Sequence, residues 1–344
     1  MPDQTKPQAT SLPPHAQLIQ MASAYWVSCI VHAAAKLDLA DRLAAAPKSA
    51  AEIARDAELN APALYRLMRS LAGLGILTET EDQRFALTPL GAALKSGAPV
   101  HARATILTFC NPYFMSAIEG LTESVRTGKT AFEKLQGMPV FDYLGKHLEE
   151  ASLFNETMIG VHGGEPPAVA EAYDFSKLKT VVDVGGSTGN VLATILTRHQ
   201  NLRGILADLP HVVNEAPPLL KSKGVAERVT IEAHDFFKSA PKGGDAYILS
   251  HVIHDWSEAQ CLTILGNVRN AMPDDARLLI VEMVLPGRDE PHFGKILDMV
   301  MLALPGGEER TAKEYEALLA KAGFSLTRVV PTQSTVSVIE AVKA

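Results

Sequence analysis

From Lys179 to the C-terminus, short aliphatic or β-branched runs alternate with helical stretches. The runs read TVVDVGG, LRGILADLP, RVTIEAHDF, GDAYILSHVIH and ARLLIVEMVLP, and the stretches between them include NVLATILTRHQ and EAQCLTILGNVRNAM. Alternation of this kind predicts βαβ units and a parallel, doubly wound sheet. A helix, TAKEYEALLAKAGF, and two final strands near SLTRVV and TVSVIEAV are expected to complete this domain.

A smaller unit is predicted in the N-terminal half. Ser49 precedes the helical run AAEIARDA and Glu52 follows three residues later, which is the pattern of a capping box. A second helix, APALYRLMRSLAGLG, is followed by ILTET and RFALT, which are typical of a hairpin. Together these elements predict a winged helix. Seven basic and seven acidic residues lie between Asp41 and Lys95, so packing or dimerisation is favoured over DNA binding.

The composition disfavours several kinds of partner. The net charge of −7 and the pI near 5.9 give no general attraction to nucleic acid or to anionic membranes. Cys29, Cys110 and Cys261 lack the spacing of a disulfide framework or a zinc site. After a polar, proline-rich start, no stretch is expected to reach the roughly 20 apolar residues that span a bilayer. We therefore expect a cytoplasmic protein that binds a small molecule.

The most informative motif is VVDVGGSTGN, residues 181–190, in which a strand leads into a glycine-rich turn and then a helix. Gly185, Gly186 and Gly189 permit positive φ angles and let backbone N–H groups approach a ligand. The turn does not match the dinucleotide pattern GxGxxG, and no GxxxxGK[ST] phosphate loop occurs in the chain. The motif therefore indicates a cofactor loop of another kind.

Acidic residues stand in or directly after the first three predicted strands: Asp183, Asp208 and Asp235. In a parallel sheet these positions share one edge, the edge at which such sheets bind ligands. Carboxylates repel a pyrophosphate but suit ribose hydroxyls and an ammonium group. The series therefore favours an adenosyl ligand without pyrophosphate, such as S-adenosylmethionine.

The fourth strand ends in SHVIHDWSE, which places His254 at the same edge. Histidine is the usual general base near neutral pH because its unperturbed pKa is about 6.5. Two carboxylates, Glu282 after the next strand and Glu309 in PGGEERT, are available to orient the ring. The spacing of these groups does not match a metal site such as HExxH, so no metal is expected.

The segments DVGGSTGN, ADLPHVV, HDFF, HVIHDWSE, VEMVLP and GGEERTAKEYEALLAKAGF together resemble the small-molecule O-methyltransferases. This family is typified by plant caffeic acid and animal acetylserotonin O-methyltransferases, with bacterial members acting on phenazines, polyketides and carotenoids. The resemblance covers nearly the whole chain. It implies a Rossmann-like class I methyltransferase domain preceded by a winged-helix domain that forms a homodimer. The implied division is a disordered N-terminus at 1–15, a winged-helix dimerisation domain at 16–100, a helical linker with acceptor-pocket residues at 101–170, and the catalytic domain at 171–344.

The resemblance also implies a role for individual residues. His254 would be the base, oriented by Glu282 and Glu309. The implied cofactor contacts are Asp183, Gly185, Gly186, Gly189, Asp208, Leu209, Asp235, Phe236 and Ser250, and the implied acceptor contacts are Phe154, Met158, Met299 and Met301. Ser250 and Glu308 replace lysines of the plant pattern, and the plant pocket histidine aligns with Val161, so a plant phenylpropanoid acceptor is not inferred.

The predicted reaction is methyl transfer from S-adenosylmethionine to a hydroxyl of a small aromatic or polyketide-like molecule, releasing S-adenosylhomocysteine. Three alternatives stay open on the sequence. A relative could use the same cofactor for hydroxylation or decarboxylation, although His254 is retained. A nicotinamide-dependent oxidoreductase is disfavoured by the incomplete dinucleotide loop, and a winged-helix regulator is disfavoured by its neutral recognition unit.

Overall fold

The computed structural model describes residues 12–99 and 101–344. The chain divides into two compact units, Met1–Asn111 with Glu149–Val161, and Pro112–Leu148 with His162–Ala344. Residues 1–11 of the segment predicted to be disordered lie outside the described residues. At the end of that segment the prediction is wrong for Pro14 and His15, because both residues are helical. Proline suits the first turn of a helix, where its missing N–H is not needed.

The helices are α1 Pro14–Lys36, α2 Leu39–Arg42, α3 Ala50–Asp56, α4 Ala61–Gly73, α5 Pro89–Ala92, α6 Ala102–Phe109, α7 Pro112–Glu119, α8 Leu121–Thr127, α9 Ala131–Gln136, α10 Val140–Lys146, α11 Leu148–His162, α12 Glu165–Ala172, α13 Asn190–Arg198, α14 Pro210–Val213, α15 Ala216–Ser222, α16 Glu258–Ala271, α17 Gly294–Ala303 and α18 Ala312–Lys321. The strands are β1 Lys48–Ser49, β2 Leu77–Glu79, β3 Arg84–Leu87, β4 Thr180–Val184, β5 Arg203–Asp208, β6 Val229–Ala233, β7 Ala246–Ser250, β8 Arg277–Glu282, β9 Val284–Leu285, β10 Arg310–Thr311, β11 Phe324–Pro331 and β12 Ser337–Lys343.

The first unit contains the predicted winged helix. Strands β1, β3 and β2 form an antiparallel sheet in that order beside α3 and α4. The predicted capping box is present, since the Ser49 side chain accepts from the Glu52 N–H and the Glu52 carboxylate accepts from the Ser49 N–H. Leu64, Met68 and Leu71 of α4 are buried in the core of this unit.

The second unit is built on a seven-stranded sheet in the order β11-β12-β8-β7-β4-β5-β6. Strands β4, β5, β6, β7 and β8 are mutually parallel, as predicted. Strand β12 departs from the predicted parallel sheet. Strand β12 enters between β8 and β11 and is antiparallel to both, because a short connection returns the chain beside β11 without a crossover helix.

Successive residues of the parallel strands face opposite sides of this sheet, as the two-residue period of a strand requires. Val181, Ile248 and Leu279 belong to one core cluster. Val182, Tyr247 and Leu278 belong to the other, with residues of α16 and α18. Both faces are buried, so the carboxyl edge of the sheet is the place where polar side chains can meet a ligand.

Helix α1 corrects the expectation that no stretch could span a bilayer. It has 23 residues and contains an 18-residue window of mean hydropathy 1.3, which is enough by length and composition to cross a membrane. Only 11% of that window is buried within the structure. Exposed apolar side chains of this helix include Leu18, Ile19, Met21, Tyr25 and Trp26. Several exposed large apolar side chains on one helix are typical of a surface that another molecule covers.

Candidate active site

The loop after β4 has the geometry of a ligand cradle. Gly185 and Gly189 have φ angles of +71° and +84°, which L-residues rarely adopt. A Cβ at Gly185 would lie 2.9 Å from Val252 Cγ2 and 3.3 Å from Phe236 Cε1. Gly186, which could also adopt a positive φ, does not do so. Its side chain is excluded by space instead, because a Cβ there would lie 2.5 Å from Asp183 Cγ.

Asp183 lies beneath this loop and is completely buried. Neither carboxyl oxygen has a hydrogen-bond partner of good geometry among the described residues, although the backbone of Leu192 favours the charged form. Burial, with the nearby Asp208 carboxylate, raises the pKa of Asp183 to about 7. An uncompensated buried carboxyl of this kind is suited to a cationic or hydrogen-bonding ligand.

Asp208 ends β5, the strand next to β4. Its Oδ2 accepts from the Ser187 N–H at 2.8 Å and its Oδ1 from the Leu209 N–H at 2.7 Å. These bonds fix the carboxylate between the glycine loop and the β5 turn. Leu209 itself is 40% exposed, as an apolar residue beside an open binding site would be.

Asp235 and Phe236 follow β6, so the three acidic residues lie on three adjacent parallel strands. Asp235 accepts from the Phe237 N–H at 3.0 Å and pairs with Lys238 Nζ at 2.9 Å. That pairing with Lys238 lowers the pKa of Asp235. Phe236 packs against Trp256 with ring centroids 6.0 Å apart. Ser250 is the last residue of β7 and is half-buried at the same edge.

The residues at this edge fit an adenosyl cofactor. The glycine loop has no room for side chains at Gly185 and Gly186. Next to it lie the buried carboxyl of Asp183, whose oxygens have no hydrogen-bond partner of good geometry among the described residues, and the carboxylate of Asp208, which backbone N–H groups hold in place. Such groups can receive an ammonium and ribose hydroxyls, while they offer no concentration of positive charge for a pyrophosphate.

His254 lies in a short helical turn, Ile253–Asp255, directly after β7. Glu282 at the end of β8 holds this turn, because its Oε1 accepts from the Ile253 N–H at 3.0 Å and from the His254 N–H at 3.3 Å. His254 is 7% exposed and both carboxylates near it are buried. The adjacency of β7 and β8 in the sheet therefore brings the histidine to Glu282.

The structure brings the three predicted catalytic residues together. His254 Nδ1 lies 2.7 Å from Glu309 Oε1 and 3.4 Å from Glu282 Oε2. A proton on Nδ1 shared with Glu309 leaves the Nε2 lone pair available to accept a proton. The arrangement matches a base held by two carboxylates, which is what the positions in the sequence suggested.

Burial dominates the electrostatics of this group. It lowers the pKa of His254 below 6.5, raises the pKa of Glu309 to about 7, and raises the pKa of Glu282 well above 4.5. Near neutral pH, His254 is therefore uncharged, the form in which it can accept a proton.

Two residues of this site, Asp255 and Gly307, had no role predicted from the sequence. Asp255 is partly buried, with Oδ1 3.6 Å from His254 Nε2, and desolvation raises its pKa to about 6. Gly307 packs closely against the Ile253–Asp255 turn, called the base turn after the predicted role of His254. A Cβ at Gly307 would lie 1.9 Å from the His254 carbonyl oxygen. Asp255 adjoins the base in HDW, which was a usable signal. Gly307 gave no local signal, because the residue it packs against, His254, is 53 positions earlier in the sequence.

The acceptor residues inferred from the resemblance are distributed over two helices. Phe154 and Met158 lie on α11, in the part of it that belongs to the first unit, and Met299 and Met301 lie on α17 in the second unit. All four are half-buried. Their contact with an acceptor stays a prediction.

Comparison with known proteins gives the family. A profile of the O-methyltransferase domain matches residues 118–325, and a profile of the O-methyltransferase dimerisation domain matches residues 19–97. The chain belongs to the O-methyltransferase family. The fold and the family inferred from the sequence are confirmed, and so is the assignment of the N-terminal unit to a dimerisation domain.

Individual O-methyltransferases resemble the chain over most of its length. It is 44% identical to the phenazine O-methyltransferase PhzM of Lysobacter antibioticus, covering 97% of each chain. The structure of NcsB1, an O-methyltransferase from neocarzinostatin biosynthesis in complex with S-adenosylmethionine and 2-hydroxy-5-methyl naphthoic acid, superposes with a TM-score of 0.80 at 30% identity, covering 92% of this chain and 96% of that one. An 8-amino-8-demethylriboflavin N,N-dimethyltransferase of Streptomyces davaonensis is 36% identical, covering 91% of each chain.

Proposed function

We propose that this protein transfers a methyl group from S-adenosylmethionine to a hydroxyl of a small aromatic or polyketide-like metabolite, with His254 as the general base. The observation that carries the proposal is the contact of His254 with Glu309, at the sheet edge that also holds the glycine cradle. NcsB1, which shares the fold, has been crystallised with both S-adenosylmethionine and a naphthoic acid.

The cofactor would lie along the carboxyl ends of β4, β5 and β6. Asp208 would accept hydrogen bonds from the ribose hydroxyls, and Asp235 with Phe236 would hold the adenine. Gly185 and Gly186 would form part of the loop surface beside the cofactor, at positions where neighbouring protein atoms leave no room for a side chain. Asp183 would support the glycine loop from below. Leu209, Gly189 and Ser250 would complete the surface that faces the cofactor.

When bound, S-adenosylmethionine supplies a methyl group already activated by its sulfonium. The protein need then only align the acceptor oxygen and remove its proton. His254 Nε2 accepts that proton, while Glu309 and Glu282 hold the ring and stabilise the positive charge that develops on it. Phe154, Met158, Met299 and Met301 are proposed to bind the acceptor ring.

A second candidate reaction is methylation of an aromatic amine. One relative at 36% identity is named as an N,N-dimethyltransferase, and a base that accepts a proton from a hydroxyl can equally accept one from an amine. The hydroxyl is preferred, because an amine already has a nucleophilic lone pair and needs no buried base to attack.

The test is a screen of phenolic, phenazine, polyketide and aromatic-amine acceptors with S-adenosylmethionine, with methyl transfer detected as a mass increase of one methylene. Titration with S-adenosylhomocysteine and with NAD completes it. We expect the first to bind and the second not to bind. Binding of NAD with hydride transfer, or hydroxylation or decarboxylation of an acceptor without a methylated product, would contradict the proposal.

We further propose that the protein is a cytoplasmic homodimer in which α1 packs against the partner chain. The dimerisation-domain profile covers most of this helix, and its exposed apolar side chains need such a cover. The boundaries predicted at residues 100 and 170 are retained here as proposals, although residues 101–170 are shared between the two compact units.

Trp26→Glu should weaken this dimer. Trp26 is 59% exposed on α1, and removal of one aromatic anchor from an interface costs about 2 kcal/mol or more, which is roughly a 30-fold increase in the dimer dissociation constant. Sedimentation velocity over a range of concentrations measures the change. Val125→Glu is the matched control, since Val125 is 65% exposed on α8 outside the dimerisation domain. An unchanged sedimentation coefficient for Trp26→Glu would contradict the assignment.

A further inference from the structure

A buried carboxylate with two imidazoles lies near the proposed base, outside the residues assigned above. Glu165, the first residue of α12, is 5% exposed. Its Oε2 lies 3.0 Å from His162 Nδ1 and 2.6 Å from His251 Nε2, and its Oε1 accepts from Thr335 Oγ1 at 3.1 Å. One carboxylate therefore joins the end of α11, the end of β7 and the connection between β11 and β12.

His251 links this carboxylate to the base. It follows the last residue of β7 and precedes His254 by three positions, and the two rings have centroids 5.2 Å apart. Its backbone has a φ of +52°, in the left-handed region that a residue with a side chain rarely occupies. Outliers of this kind persist only where the surroundings hold them, and they are frequent at functional sites.

The bond to Glu165 is the side-chain contact that holds His251. The backbone N–H of His251 donates to the Val281 carbonyl at 3.1 Å, which fixes the strand end. The ring is fixed by Glu165 on one side and by His162, whose centroid lies 3.8 Å away. The His251 Nδ1 atom is buried and has no hydrogen-bond partner among the described residues, so the ring depends on Nε2 for its orientation.

Only two residues separate His251 from His254. A backbone rotation at His251 would therefore move His254 away from Glu309, whose Oε1 lies 2.7 Å from Nδ1. A misplacement of about 1 Å at a reacting group can cost about 100-fold in rate.

We propose that Glu165 is a positioning residue for the methyl transfer, acting through His251 to hold the turn that carries His254. The proposal rests on the function proposed above. Glu165 acts on the base turn through hydrogen bonds, and its own contacts are His162, His251 and Thr335.

Two substitutions distinguish a positioning role of Glu165 from an effect of its negative charge. In Glu165→Gln, the amide oxygen can accept from both imidazoles and the NH₂ group can donate to the Thr335 hydroxyl, so the geometry is kept. Glu165→Ala removes every contact. We expect Glu165→Ala to lower kcat about 10- to 100-fold with KM for S-adenosylmethionine changed less than about threefold, and Glu165→Gln to restore kcat to within about threefold of the wild type.

A double-mutant cycle with His251→Asn gives the decisive measurement. Asparagine tolerates the left-handed backbone but lacks the ring that Glu165 holds. Because the hydrogen bond between Glu165 and the His251 ring is already lost in His251→Asn, adding Glu165→Ala should lower kcat by less than about threefold. His251→Asn alone should show the loss expected for Glu165→Ala, so it replaces that variant if Glu165→Ala does not fold.

Glu340→Ala is the matched control for loss of a buried carboxylate. Glu340 is also 5% exposed and pairs with Arg277 and Arg328, so its removal should lower Tm but leave kcat per folded molecule unchanged. A wild-type kcat in Glu165→Ala or in His251→Asn, equal losses in Glu165→Ala and Glu165→Gln, or full additivity in the cycle would each overturn the proposal. Absence of methyl transfer by the wild type would instead overturn the proposed function.

Discussion

His254→Gln should lower kcat by about 10²- to 10⁴-fold, the contribution that a well-placed general base makes. Glutamine keeps a hydrogen-bonding group near Glu309 but cannot accept a proton at neutral pH. The cofactor cradle lies at β4, β5 and β6, so affinity for S-adenosylhomocysteine should stay within about threefold. Steady-state kinetics with the acceptor found by the screen, together with calorimetric titration, measure both quantities.

His199→Gln is the control for removal of an imidazole. His199 caps the end of α13 and packs against Phe175, with ring centroids 5.6 Å apart. Its replacement should leave kcat unchanged. A methylation rate in His254→Gln equal to that of the wild type would remove His254 as the base and leave Asp255, 3.6 Å from its Nε2, as the next group to test.

Gly307→Ala should lower kcat about 100-fold through displacement of the base. The added Cβ would lie 1.9 Å from the His254 carbonyl oxygen and 2.5 Å from the Asp255 carbonyl carbon. Both are backbone atoms, so no rotamer change relieves the collision. The segment must move as a whole, and it carries Glu309, whose contact with His254 would lengthen. A shift of about 1 Å at this distance is enough for a loss of that size.

Gly266→Ala provides the matched glycine substitution. Gly266 lies inside α16, and a Cβ there would have no neighbour within 4 Å. Alanine in a helix interior should stabilise the protein by up to about 1 kcal/mol without changing kcat. Thermal unfolding and kcat, measured for both variants, separate loss of fold from loss of alignment. If Gly307→Ala were as active as Gly266→Ala, the prediction that close packing at Gly307 keeps His254 in place would be wrong.

The proposed site shows where reading the sequence succeeds. The glycine loop was predictable, because a strand, a turn and a helix start within ten residues of one another and each has its own pattern. Gly186 shows the limit of such reading. The sequence indicates only that glycine permits a positive φ there, whereas in the structure the proximity of Asp183 excludes a side chain, and only the packed loop defines that contact.

The network around Glu165 was not predictable in the same way. His162 and His251 carry no shared motif, and Glu165 meets His251 across 86 positions of sequence and Thr335 across 170. Helix α1 is a further example. Its length and mean hydropathy are sufficient for a membrane span, whereas the exposure of its apolar side chains is defined only when the rest of the unit has folded.

The sequence by itself determined the order of strands and helices, the winged helix and the glycine-rich turn after β4, because each is written in a local period or a short motif. The tertiary structure alone decided that β12 enters antiparallel between β8 and β11, that Glu309 reaches His254 across 55 positions, and that Glu165 holds His251. These contacts depend on strand register and on which side chains share a buried space. Neither quantity is a property of any one segment of the chain.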